Sequence, residues 1–154
     1  VLTNVLHLEG DAAGGTYVEH VQFRDLTFSH TTWALPRSSG PSGLQQADIH
    51  MESAVSLRGA RQCLFEACEI TAIGNYGLEI GPGCSENRIL RCDIHDLGAG
   101  GLLIGPKIRP PSDRDANHQR EFPPVQSDPS AACSYNEIAD CHIYDGGRYY
   151  HCAV

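Results

Sequence analysis

Three positions in the middle of the chain carry the side chains best suited to chemistry: Glu79, His95 and Asp96. Asp48, His50 and Glu52 form a second polar group upstream. Two carboxyl groups flanking a sugar–sugar bond are enough to hydrolyse it. One protonates the leaving oxygen; the other attacks from about 5–5.5 Å away or activates water from about 6.5–9.5 Å away. Trp33, the only Trp, follows His30 and suits stacking on a sugar ring. Each residue also has a plainer reading. An outward Glu is commonly only solvated, and Asp before Leu-Gly is commonly a turn residue that bonds its own backbone. A His beside an Asp is often a surface polar pair, and a loop Trp is often an anchor.

Other chemistries lack their residues. The chain has no G-x-S-x-G, no H-E-x-x-H and no Gly-rich phosphate loop. Its eight His include no pair at helix-type ligand spacing, so no metal site is read. Ca²⁺ held by clustered carboxylates is the one cofactor left open. The seven Cys contain no C-x-x-C, so zinc-ribbon and redox-motif readings lose their support. Arg109, Asp113, Arg114, Asp115, His118 and Arg120 read as a solvated loop.

The elements that must position these groups come from a repeat. Gly77-Leu78-Glu79-Ile80-Gly81-Pro82 recurs 24 residues later as Gly101-Leu102-Leu103-Ile104-Gly105-Pro106. Asn87 to Asp96 recurs 49 residues later as Asn136 to Asp145. Cys63 to Ile70 takes the same pattern, and Val21 to Phe28 is the earliest copy. Apolar and polar residues alternate within each unit, which is the strand period, and Gly, Asn and Pro separate the runs. No stretch has a helical period with caps. Three short strands per unit, stacked copy on copy, predict a parallel β-helix of about four coils of roughly 24 residues. One such coil cannot bury its apolar face alone. Stacking places Cys68, Cys92 and Cys141 in one inward column and Cys84 and Cys133 in another, as buried free thiols.

Two insertions interrupt the coils, at about 31–53 and 107–132, rich in Pro, Ser and charge. Both flank the face carrying Leu78–Ile80, so two walls would border a cleft there. Alternation turns Leu78 and Ile80 inward and Glu79 outward, in a column with His7, Ser56 and Leu103. The third strands present outward Thr27, Glu69, Asp93 and His142, then Ser29, Thr71, His95 and Tyr144. His30, Ala72, Asp96 and Asp145 occupy the turn that follows.

The chain has 154 residues, the size of one domain, with 41% hydrophobic and 19% charged residues, which excludes general disorder. Eleven Lys and Arg against nineteen Asp and Glu give a net charge of −8. An acidic chain without a basic stripe fits neither nucleic acid nor an anionic membrane as partner. No apolar run approaches the ~18 residues of a spanning helix. Open solenoid ends, with no capping element, point to a piece of a longer chain.

Phe28-Ser29-His30-Thr31-Thr32-Trp33, Val55 to Arg61, Asn75 to Glu79 and His95 to Gly101 resemble bacterial right-handed parallel β-helix proteins of polysaccharide degradation. The family they look most like is glycoside hydrolase family 141, and the resemblance runs from about Val18 to Tyr144. It implies a glycosidase acting on plant pectic or xylan-type material. By motif, Asp96 would be acid/base and Glu79 nucleophile or base, with interchangeable roles and His95 in support. Trp33, His30, Glu52 and Asp93 would bind substrate. The alternatives are a β-helix polysaccharide lyase, which a single Lys (Lys107) disfavours, and a non-catalytic glycan-binding or adhesion solenoid. A polysaccharide substrate implies a secreted or periplasmic location.

Overall fold

A computed structural model describes residues 2–32, 51–105, 129–150 and 152. Its strands, in chain order, are β1 (Leu6–Glu9), β2 (Val18–Glu19), β3 (Gln22–Arg24), β4 (Thr27–Thr31) and β5 (Ser53–Arg58). There follow β6 (Ala60–Arg61), β7 (Leu64–Glu66), β8 (Glu69–Ile73), β9 (Tyr76–Ile80) and β10 (Arg88–Leu90). The last are β11 (Asp93–Ile94), β12 (Leu102–Ile104), β13 (Glu137–Ala139) and β14 (His142–Ile143). Among the described residues the fold is all-β, with one short 3₁₀ turn at Pro129–Ala131 and no α-helix. No helix among them is long and apolar enough to cross a membrane.

The strands form three four-stranded sheets: β1-β5-β9-β12, then β3-β7-β10-β13, then β4-β8-β11-β14; β2 pairs with β6 beside them. Every pairing between these strands is parallel. No sheet closes on itself. The chain visits the first, second and third sheets in turn, then returns to the first. Hydrogen bonds reach partners 42, 24 and 49 residues away along this route. The parts of the two insertions at 33–50 and 107–128 lie outside the described residues.

Register explains the core. Leu6, Val55, Leu78 and Leu102 align in the first sheet, and Leu8, Leu57, Ile80 and Ile104 align beside them. Phe23, Phe65, Ile89 and Ile138 align in the second sheet; Phe28, Ile70, Ile94 and Ile143 in the third. Residues of all four rows belong to one apolar cluster. Phe23 stacks on Phe65 at 4.7 Å between ring centroids. Each fully buried Leu, Ile or Phe contributes about 1.5–3 kcal/mol. A slip of one residue would turn every row outward, so the register is firmly set.

The corners repeat as well. His20, Gln62, Glu86 and Tyr135 form one column; Asp25, Ala67, Arg91 and Asp140 a second; His30, Ala72, Asp96 and Asp145 a third. All twelve are non-glycine residues with φ between 51° and 67°. That conformation costs an L-residue roughly 1–2 kcal/mol. The hydrogen-bond ladder continuing through the bends offsets it. Gln62 N donates to Ser85 O, Ala67 N to Leu90 O, and Ile73 N to Asp96 O.

Buried polar groups are matched along the stack. Asn87 is fully buried; its Oδ1 accepts from Cys63 N (3.0 Å) and its Nδ2 donates to Ala60 O (2.9 Å) and Asn136 Oδ1 (2.9 Å). All seven cysteines are free, and Cys63, Cys68, Cys84 and Cys92 are buried. Burial pushes the Cys84 and Cys92 thiols up to about 11. Such thiols are inert fillers rather than nucleophiles.

Candidate functional site

Glu79 lies on the central strand β9, between Leu78 and Ile80 of the core, and so faces away from it. It is nevertheless only 2% exposed. The solvated carboxylate that simple alternation predicts is thus replaced by a covered one. Ser53 Oγ donates to Glu79 Oε2 at 3.2 Å, and Arg58 Nη2 stands 3.8 Å from Oε1. A carboxylate without water needs such partners, because uncompensated burial costs several kcal/mol. Gly81 keeps the space open. A Cβ there would sit 2.8 Å from Leu57 O and 3.4 Å from Glu79 Oε1.

The polar strip continues across the sheet. Ser56 is the register neighbour of Glu79, and His7 that of Ser56. His7 Nδ1 lies 2.6 Å from Ser56 Oγ, and His7 Nε2 lies 2.7 Å from Glu9 Oε2. Asn4 Nδ2 donates to Ser56 Oγ (3.0 Å) and to Ser53 O (2.8 Å). Glu9 is in register with Arg58. The column containing His7, Ser56, Glu79 and Leu103 was readable from the repeat. The contributions of Ser53, Arg58, Glu9 and Asn4 were not, although Glu9 and Arg58 stand two residues along from His7 and Ser56.

The third sheet presents a different outer face. Thr27 Oγ1 donates to Glu69 Oε2 (3.1 Å), and His95 Nε2 lies 3.3 Å from Glu69 Oε1. Asp93 Oδ1 lies 3.6 Å from His142 Nδ1. The Tyr144 ring stacks against both His95 (4.9 Å) and His142 (4.2 Å). His95 and Asp93 are therefore together on this face, not beside Glu79.

Asp96 sits at the third corner with φ 55° and pairs with Arg148, which also reaches Asp145 at 3.9 Å. Asp96 lines a shallow cleft of about 380 Å³ with Thr31, Thr32, Gly98, Arg148 and Tyr149. Glu79 is not part of that lining. Leu97, next to Asp96, bridges to Ile73, which precedes β9. The strand from Tyr76 to Glu79 alone then adds about 10 Å. The two carboxylates thus occupy separate neighbourhoods. His30 shares the Asp96 corner, is exposed, and holds Ser29 Oγ at 2.7 Å. Glu52 is exposed just before Ser53, and its carbonyl accepts from Tyr76 N. Trp33 lies outside the described residues. Among the described residues no group of three His, Cys, Asp or Glu is placed to hold a metal ion.

No protein-family model and no curated protein matches the chain. One solved structure, described as a glycoside hydrolase, superposes with a TM-score of 0.80 at 23% identity. The match covers 99% of this chain and 29% of that one. The likeness establishes a shared fold, and this chain spans under a third of the length of the protein it matches.

Proposed function

We propose that this chain is a segment of a longer carbohydrate-active enzyme that hydrolyses glycosidic bonds. In this reading the three sheets are the faces of a right-handed parallel β-helix, and the outer face of the first sheet binds the glycan. The observation that carries the proposal is Glu79, a covered carboxylate between Ser53 and Arg58 on an outward strand position. The fold shared with a glycoside hydrolase supports it, as does the resemblance to glycoside hydrolase family 141. Glu79 acts as nucleophile or base, and a second carboxyl group of the longer enzyme protonates the leaving oxygen. Asp96 contributes from the corner cleft, where with Arg148 and Tyr149 it holds a sugar unit further along the chain being cut. His30 and Glu52, both exposed, extend the binding surface. The protein works where polysaccharides are met, outside the cytoplasm, secreted or periplasmic.

The test is incubation with a panel of xylans and pectic oligosaccharides, with products read by mass spectrometry. Products that gain one water, and vanish with Glu79→Gln, support the reading. Unsaturated products identify a lyase and overturn it. Retained binding without any product leaves a recognition surface instead.

A further inference from the structure

Ser56, His7 and Glu9 form a continuous hydrogen-bonded chain on the outer face of the first sheet. One protonation pattern meets every contact in it and also uses the Ser56 hydroxyl proton. A neutral His7 with its proton on Nε2 donates to Glu9 Oε2 and accepts the Ser56 hydroxyl proton on Nδ1. Asn4 Nδ2 then donates to a free lone pair of Ser56 Oγ. A doubly protonated imidazole would donate to Ser56 Oγ as Asn4 does, leaving the hydroxyl proton to find another acceptor. This is the electronic arrangement of a serine nucleophile, a base and an orienting acid, with the two ring nitrogens exchanged relative to the common triad.

We propose that Ser56 is a nucleophile for ester cleavage, a second activity beside glycosidic hydrolysis, and that its substrate class is small acyl esters on carbohydrate hydroxyls. His7 Nδ1 takes the Ser56 proton as Oγ bonds to the ester carbonyl carbon. The bond from that carbon to the alcohol oxygen breaks, and His7 returns the proton to the departing alcohol. Water, deprotonated by His7, then attacks the acyl–Ser56 ester, releasing the carboxylic acid and restoring Ser56. Arg58, two residues along the same strand face from Ser56 and 3.8 Å from Glu79 Oε1, is the cation that would turn to the developing oxyanion. The rigid sheet holds all four groups, since His7 pairs with Ser56 and Glu9 with Arg58. Ser56 is 7% exposed, which limits the acyl group to a small one such as acetyl.

The experiment treats the chain with a fluorophosphonate probe and locates the adduct by peptide mass spectrometry. p-Nitrophenyl acetate turnover is followed in parallel. An adduct on Ser56, absent from Ser56→Ala and reduced at least tenfold in His7→Gln, supports the proposal. Circular dichroism confirms that both variants remain folded. No adduct on Ser56 in the folded wild-type chain overturns it. So does an adduct that His7→Gln leaves undiminished. The probe carries no sugar, so this outcome is independent of the glycosidase test.

Discussion

Glu79 and Glu69 both occupy outward positions on central strands, β9 of the first sheet and β8 of the third. Their surroundings differ. The Glu69 side chain is 44% exposed and shares its charge with Thr27 and His95 in contact with water. Glu79 is covered, and its partners are fixed in the same sheet. An exposed pair gains little, because water screens it and both side chains lose freedom. A covered carboxylate is costly to keep and interacts strongly with whatever approaches it. One repeat has thus produced a solvated polar face and a face where charge is covered.

The comparison breaks first on activity. Glu79→Gln should lower sugar release by about 10²–10⁴-fold with the fold intact, and Glu69→Gln should leave it unchanged. Equal losses from both would erase the distinction between the faces. A second test moves the core that both faces share. The Cys84 and Cys92 thiols ionise near 11 in the folded chain and near 9 when unfolded. Between those values the unfolded state holds fewer protons, so stability is full below about pH 9 and falls as pH rises toward 11. The urea midpoint should drop over that range, and less so in a Cys84→Ala/Cys92→Ala chain. An unchanged drop in the double variant would assign the effect elsewhere. Next, Ser53→Ala should cost about 1.5–3 kcal/mol, because it strips a donor from a covered carboxylate. Thr27→Ala, facing Glu69, should cost under about 1 kcal/mol by the same urea titration. Smallest of all, His95→Gln should shift stability by less than about 0.5 kcal/mol, measured at low and high salt to separate screening from packing.

Much of this framework was readable from residue order. The columns through Glu79 and Asp93 match the observed register, because strand alternation and a fixed offset determine them together. The left-handed corners were hidden. Asn, Asp, His and Gly are the residues that favour that conformation, whereas these columns also hold Ala, Gln, Glu, Arg and Tyr. Corner geometry here is imposed by stacking, not by local preference. The state of Glu79 was equally hidden, since alternation gives a side chain's direction but not what lies over it. Asp96 shows the same limit from the other side. Its motif pointed to a chemical role but showed neither that its backbone belongs to a column of corner residues nor that its carboxylate pairs with Arg148.

The 24-residue step has a consequence for how such a chain changes length. Asp93 occupies the same register position as Glu69, so excising residues 69–92 joins Cys68 to a residue of matching role. The strands that remain still meet like partners: β12 falls against β5, β13 against β7, and β11 against β4. Glu79 leaves with the excised piece, while Ser56 and His7 stay. Length in this molecule is therefore a discrete variable, and one removable cassette carries the covered carboxylate away from a scaffold that keeps its alignment.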